Sequence, residues 1–265
     1  MKALIKLGGT LLDSPEMRAS LAEQIARQAG QGAAITVVHG GGKQMTRFLK
    51  ERGISSEFVN GLRVTTPEVM DAVLKVLAGS VNQELVAALL AAGARPVGLS
   101  GVDAGLVEAE QMDEALGLVG RVKRANPALL DLLIGRGYLP VVACIAADRG
   151  GRMYNVNADQ MAAVCAAGWR ADRLIFLTDI AGVMDAAGRV QTRLSAQECE
   201  RLIAGGVAAA GMQAKLLAAT AALTDGVDQI EIAPGAWPDV IARLLNGEPV
   251  GTRIVRAAEQ VTSHD

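Results

Sequence analysis

Lys6 stands inside a short apolar run, Ala3 to Leu7, and the chain then breaks into Gly8-Gly9. Ile35 to Val38 is a second such run, followed by His39-Gly40-Gly41-Gly42. A strand that ends in glycines and opens a helix leaves backbone N–H groups and a positive helix end facing one point. Phosphate or carboxylate oxygens can be held that way without a metal cage. In a strand, Lys6 points opposite to Ile5 and Leu7. It is either a lysine reaching water at a strand end or one that meets an anion, because an unpaired buried charge is costly. Three successive glycines lose much chain entropy on folding, and a plain left-handed turn needs only one. Close approach of backbone to ligand is therefore the reading taken for Gly40 to Gly42, with His39 as an orienting hydrogen-bond residue. The chemistry these parts suit is movement of a phosphoryl group.

Other fragments add to this set. Asn60-Gly61-Leu62-Arg63-Val64-Thr65 reads locally as a hairpin turn, with Arg63 either half of a surface ion pair or a carboxylate clamp. Asn155-Val156-Asn157-Ala158-Asp159 places two amides and an acid where a strand passes into a helix. Helix capping accounts for Asn157, and leaves Asn155 and Asp159 to be explained. Thr178-Asp179-Ile180-Ala181-Gly182-Val183 ends a strand with an acid and a glycine turn, and Gly211-Met212-Gln213-Ala214-Lys215 opens a helix with a second lysine one turn on. Neither the Walker pattern nor G-x-G-x-x-G is present: Gly42-Lys43 is followed by Gln44, and Val37 stands where the first Walker glycine belongs.

The elements that must position these residues alternate along the chain. Ser14-Pro15-Glu16 and Thr66-Pro67-Glu68 start helices, to about Gly30 and Gly93, with Gly79-Ser80 a candidate kink in the second. A further helix runs from Gly42 to Arg52, and Asn126-Pro127 begins another. Strands are expected at Pro96 to Leu99, Leu139 to Ile145, Arg173 to Leu177 and Gln229 to Ile232, with Thr252 to Val255 as a last edge strand. The stretch from Ser100 to Lys123 reads as irregular. Ser195-Ala196-Gln197-Glu198 has the form of a capping box. Strands separated by helices imply a mostly parallel sheet with helices on both faces and a ligand crevice beyond the strands' carboxyl ends. Ala257 to Asp265, with His264, reads as a polar tail.

A chain of 265 residues suits one large α/β domain or two closely joined ones. Net charge is −2 and 3% of residues are aromatic, so neither the basic stripe nor the stacking platform of a nucleic-acid binder is visible. Small-molecule partners are expected. No apolar run reaches a membrane span, and Lys6 interrupts the early apolar run that a signal peptide would need. Cys144, Cys165 and Cys199 form no C-x-x-C and fit buried positions in a reducing cytoplasm.

Taken in order, K-L-G-G, H-G-G-G, N-G-L-R-V-T, N-V-N-A-D, T-D-x-x-G-V, G-M-x-x-K and the closing Gly251-Thr252-Arg253-Ile254 resemble the amino acid kinase family. The resemblance runs from Lys6 to Ile254. Within the family, N-G-L-R-V-T and N-V-N-A-D favour the branch that phosphorylates N-acetyl-L-glutamate in arginine biosynthesis. It implies a three-layer αβα sandwich around a central, mostly parallel open sheet. Residues 1–172 would form an acceptor-binding and dimerisation lobe, and 173–265 a nucleotide-binding lobe. Lys6 and Lys215 would neutralise the phosphoryl group in flight, with Asp159 orienting both. Gly8, Gly9, Gly41 and Gly42 would offer backbone N–H groups to phosphate or transition-state oxygens. Arg63, Asn155 and Asn157 would hold the acceptor, and Asp179, Gly182, Met184, Gly211 and Met212 the nucleotide. The cosubstrate would be ATP with Mg2+ held mainly by phosphates and water, with no dedicated protein metal ligands.

The resemblance also implies a cytoplasmic homodimer. Arginine-inhibited members carry an extra helix before the first strand, and the sequence here opens at that strand, so arginine feedback is not expected. Alternatives are a sibling kinase acting on another carboxylate or carbamate, such as N-acetyl-aminoadipate, and a non-catalytic sensor on the same fold. A dinucleotide oxidoreductase lacks its fingerprint here.

Overall fold

The computed structural model describes residues 1–256; the tail from Ala257, including His264, lies outside the described residues. The chain opens with β1 (Lys2–Leu7), a single turn of helix α1 (Gly9–Leu12), α2 (Pro15–Gly30), β2 (Ala34–His39) and α3 (Gly42–Glu51). A hairpin of β3 (Phe58–Val59) and β4 (Leu62–Arg63) turns through Asn60 and Gly61, both at positive φ (50° and 79°), as the Asn-Gly pair foretells. Then come α4 (Pro67–Val73), a π-helix (Leu74–Val81) and α5 (Asn82–Ala91) as one continuous rod. The Gly79-Ser80 kink is thus a change of winding. Ser14 and Thr66 cap α2 and α4 by accepting the N–H of Met17 and Val69, each with proline next in line.

The following segment is not irregular. It contains β5 (Pro96–Ser100), β6 (Val107–Gln111) and β7 (Val119–Ala125), then α6 (Ala128–Gly135) and β8 (Leu139–Ala143). The strand expected to run on to Ile145 breaks at Cys144, and β9 (Ile145–Ala147) and β10 (Met153–Val156) close a small barrel with β6 and β7. After α7 (Ala158–Trp169) and β11 (Arg173–Thr178) come β12 (Arg193–Ser195), α8 (Ala196–Ala204), α9 (Ala210–Thr224), β13 (Gln229–Pro234), α10 (Val240–Leu245) and β14 (Thr252–Val255). Both halves of the Ser195–Glu198 capping box form at the start of α8.

The main sheet has eight strands in the order β12-β14-β13-β11-β1-β2-β8-β5, and every pairing is parallel except β13 with β14. β14 is therefore not the edge; the three-residue β12 covers it. Alternation along the strands sorts the core into two layers. Ile5, Leu7, Val37, Val141 and Ile175 pack under α2, α3, the α4–α5 rod and α10. Leu4, Val38, Val142, Leu174 and Phe176 pack under α6, α7, α8 and α9. This is the three-layer αβα arrangement.

The rod from Pro67 to Ala91 is, by length and composition alone, long and apolar enough to cross a membrane (25 residues, with mean hydropathy 1.4 over an 18-residue stretch), which the sequence reading did not expect. Its Val69, Val73, Leu77, Leu85 and Leu89 are instead buried against the sheet.

Candidate active site

The period-two alternation of β1 sends Lys6 to the same face as Leu4, the face covered by α7 and α9. Asn157 caps α7, its Oδ1 accepting the N–H of Asp159 at 2.9 Å and of Gln160 at 3.2 Å. That cap puts Asp159 in the first turn, above β1. Lys215 comes down from α9. The two lysine Nζ atoms lie 2.9 Å (Lys6) and 2.8 Å (Lys215) from the same Asp159 oxygen, Oδ1, and all three side chains are buried. Lys215 Nζ also sits 5.1 Å from the centre of the Phe176 ring, whose negative face favours a cation.

Electrostatics follow from that crowding. Burial pushes the Lys215 pKa down to about 8, with Lys6 adding to the fall and Asp159 opposing it. Burial acts to raise the Asp159 pKa, but the charges of Lys6 and Lys215 overcome it and hold the carboxyl below its ordinary value. Three buried charges with an excess cation are poor material for stability. Two cations share one carboxylate there, a balance of charge suited to receiving an anion.

The two glycine turns meet beside this triad. A Cβ on Gly9 would come within 3.0 Å of Gly42 N and 3.3 Å of Gly41 Cα, so the second turn can lie this close to the first because Gly9 is bare. The Gly8 N–H donates to the Leu177 carbonyl at 3.2 Å and is spent on the sheet. Gly9 and Gly42 are the first residues of α1 and α3, where N–H groups have no partner within the helix.

Alongside lies a cavity of about 180 Å³ whose walls include Gly41, Gly42, Arg63, Asn155 and Asn157. Arg63 is buried and held from several sides: Nη2 donates to Thr46 Oγ1 at 2.8 Å and to the Gly42 carbonyl at 3.3 Å, and Nη1 donates to Ser56 Oγ. Its guanidinium lies 4.5 Å from the Phe58 ring centre. The surface ion pair offered by the local reading is not what forms. Asn155 Nδ2 donates to Thr65 Oγ1 at 3.1 Å, and that hydroxyl donates to the Arg63 carbonyl at 2.8 Å, tying β10 to the hairpin. Sequence reasoning missed Thr46, Ser56 and Phe58. The i, i+4 spacing of Gly42 and Thr46 was the one available signal for them.

Asp179, Gly182 and Met184 follow β11, the direct neighbour of β1. Gly182 has φ 155°, and a Cβ there would meet Thr252 Oγ1 and Val190 Cγ1 at 2.8 Å each. Met184 is exposed and bridges to Val190. Gly211 and Met212 lie in the first turn of α9, one turn before Lys215. None of these five lines the cavity beside Arg63. Asp179, Gly182 and Met184 lie on the β11 side of β1, away from β2 and its glycine turn, and Gly211 and Met212 share α9 with Lys215.

With this fold and this site, comparison with known proteins is unambiguous. The chain belongs to the amino acid kinase family, whose model matches residues 1–234. It is 63% identical to the acetylglutamate kinase of Solibacter usitatus over 257 residues, covering 97% of this chain and 100% of that one. The acetylglutamate kinase of Acidobacterium capsulatum is 42% identical, over 94% of this chain and 99% of its own. Among solved structures, N-acetylglutamate synthase from Neisseria gonorrhoeae, complexed with coenzyme A and N-acetyl-glutamate, superposes with a TM-score of 0.85 at 25% identity. That match covers 97% of this chain and 60% of the synthase.

Proposed function

We propose that this chain transfers the γ-phosphoryl group of ATP to the γ-carboxylate of N-acetyl-L-glutamate, giving the acyl phosphate, as a step of arginine biosynthesis. The observation that carries the proposal is the buried Lys6–Asp159–Lys215 triad, with a cavity of about 180 Å³ lined by Arg63, Asn155 and the chain just before Asp159. A γ-carboxylate is ionised at neutral pH, since free glutamyl side chains titrate near about 4.3. No general base is required, and none is offered: Asp159 is committed to two ammonium groups. Phosphoryl transfer depends mostly on positioning and on neutralising charge spread over the moving group.

In this reading Lys6 and Lys215 supply that charge, with the N–H groups of Gly9, Gly41 and Gly42 around the phosphoryl oxygens. Arg63 offers its remaining donors to the acceptor's α-carboxylate, and Asn155, with Asn157 beside it, faces the acetamido end. Asp179, Gly182, Met184, Gly211 and Met212 hold the nucleotide. Mg2+ comes with ATP, held by phosphate oxygens and water, and when bound it neutralises charge on the phosphates. Asp159 is ill suited to hold it, since two ammonium groups occupy its Oδ1.

Residues 1–172 form the acceptor and dimer lobe, residues 173–265 the nucleotide lobe, and the enzyme works in the cytoplasm as a homodimer. The last turns of the rod, where Ala87, Leu90 and Ala91 are exposed on one face, are the surface assigned to the second copy. The function is tested by ATP-dependent acyl phosphate formation, trapped with hydroxylamine. N-acetyl-L-glutamate is expected to be turned over far better than free glutamate or N-acetyl-aminoadipate. Preference for either of the other two overturns the assignment.

A further inference from the structure

His39 ends β2 fully buried, and both of its ring nitrogens are engaged. Nδ1 lies 3.0 Å from the Gly40 carbonyl oxygen, and Nε2 lies 2.9 Å from Asn82 Nδ2. A carbonyl oxygen only accepts, so Nδ1 carries the proton and Nε2 accepts from the amide. The amide cannot be turned over, because its second N–H donates to the Val141 carbonyl at 3.0 Å and a flip would set oxygen against oxygen. Gly98 leaves room for it: a Cβ there would fall 2.2 Å from Asn82 Oδ1.

The same rod also presses on the next glycine, since a Cβ on Gly41 would meet Leu77 Cδ2 at 2.5 Å and Val81 Cγ2 at 3.3 Å. Leu77 and Asn82 are five residues apart, which in an α-helix turns them about 140° away from each other. The i to i+5 winding of the π-helix returns them to one face. The Gly40 carbonyl and the Gly41 N–H belong to one planar trans peptide and point in opposite directions. Anchoring the oxygen on His39 therefore aims the N–H.

We propose that Asn82 is a positioning residue for phosphoryl transfer: through His39 it locks the Gly40–Gly41 peptide so that the Gly41 N–H faces the moving phosphoryl oxygens. The inference rests on the kinase reading given above. Burial holds the His39 pKa down to about 4, so the ring is neutral at pH 7 and the relay keeps its sense.

The chain has two histidines, so ring-15N-histidine labelling of a His264→Gln background leaves one imidazole to observe. At pH 7 it is expected to show protonated Nδ1 and bare Nε2, with no variant of the site needed. The opposite tautomer, or an imidazolium, overturns the proposal. Asn82→Leu is expected to lose the single tautomer and to lower kcat roughly tenfold or more, short of outright donor loss. KM for ATP should stay within about twofold, because the interaction is made in the transition state. If the wild type is active and Asn82→Leu, folded, keeps its kcat, this proposal alone falls. If the wild type forms no acyl phosphate with any acceptor tested, the kinase reading falls and takes this one with it.

Discussion

Asp159 presents one oxygen to two ammonium groups, and most of what the site can do follows from that residue. Replacing Lys6 or Lys215 by alanine removes a cation and leaves the other pair intact. The fold is expected to survive while kcat drops by roughly 10²–10³, the usual cost of one such donor, read from steady-state rates beside circular dichroism. Asp159→Asn is a different case. It leaves two buried ammonium groups uncompensated, and a loss of about 3–5 kcal/mol in denaturant-derived stability is expected. The pH dependence has a definite sign. The Lys215 pKa is about 8 in the folded protein against an ordinary value of 10.5, so between those values the unfolded chain binds more protons. Stability contributed by this group therefore rises with pH across that window, while activity, which needs the ammonium, falls above about pH 8. A kcat/KM profile that stays flat to pH 9.5 would sink the role given to Lys215. For Asp159 the folded pKa lies below 3.8, so its contribution is present above that value and is lost as pH falls through the lower folded value.

At the level of elements, what could be read from the sequence was what is decided locally. Ser14, Thr66 and Ser195 announce helix starts because the cap and its partner lie within three residues. Asn60-Gly61 announces its hairpin for the same reason. Ser195→Ala offers a test outside the triad and the cavity: a loss of about 1 kcal/mol is expected, a fall of about 2–4 °C in melting temperature for a chain of this size, with kcat unchanged. The barrel strands were not legible. β6, β7, β9 and β10 are short, and β6 pairs with β9 and β10 with β7 across more than twenty residues of intervening chain, so no local pattern marks them. Nor was Asn82, which looks like an ordinary polar residue in an apolar rod until the rod's winding is known. Of the candidate site, Lys6, Asp159 and Lys215 stood out by type and position, and the fold brings them together. The residues that brace Arg63 did not stand out, since a serine or threonine gains meaning only from what folds against it.

At the scale of the whole molecule, β1 lies at the join. It pairs with β2 on one side and β11 on the other, so the sheet passes without a break from the β2-β8-β5 half to the β11-β13-β14-β12 half. Any closure around substrates must therefore come from the elements standing on the sheet. The apolar rod from Pro67 to Ala91 bears on assembly. Light scattering is expected to give about twice the 27.4 kDa of one chain, and charged substitutions at exposed Leu90 to reduce that mass without abolishing folding. A monomer at micromolar concentration would remove the role given to that surface.

The junction between β10 and α7 places Asn155, on the cavity wall proposed for the acceptor, and Asp159, between the lysines, four residues apart on one stiff corner. Recognition and chemistry there cannot drift independently: a shift in strand pairing that re-aimed the amide would drag the carboxylate off its cations. Redesign toward a longer or shorter acceptor is better directed to Met45 on α3 or Leu62 on β4, which line the same cavity from other elements, so that volume can change while the corner stays put.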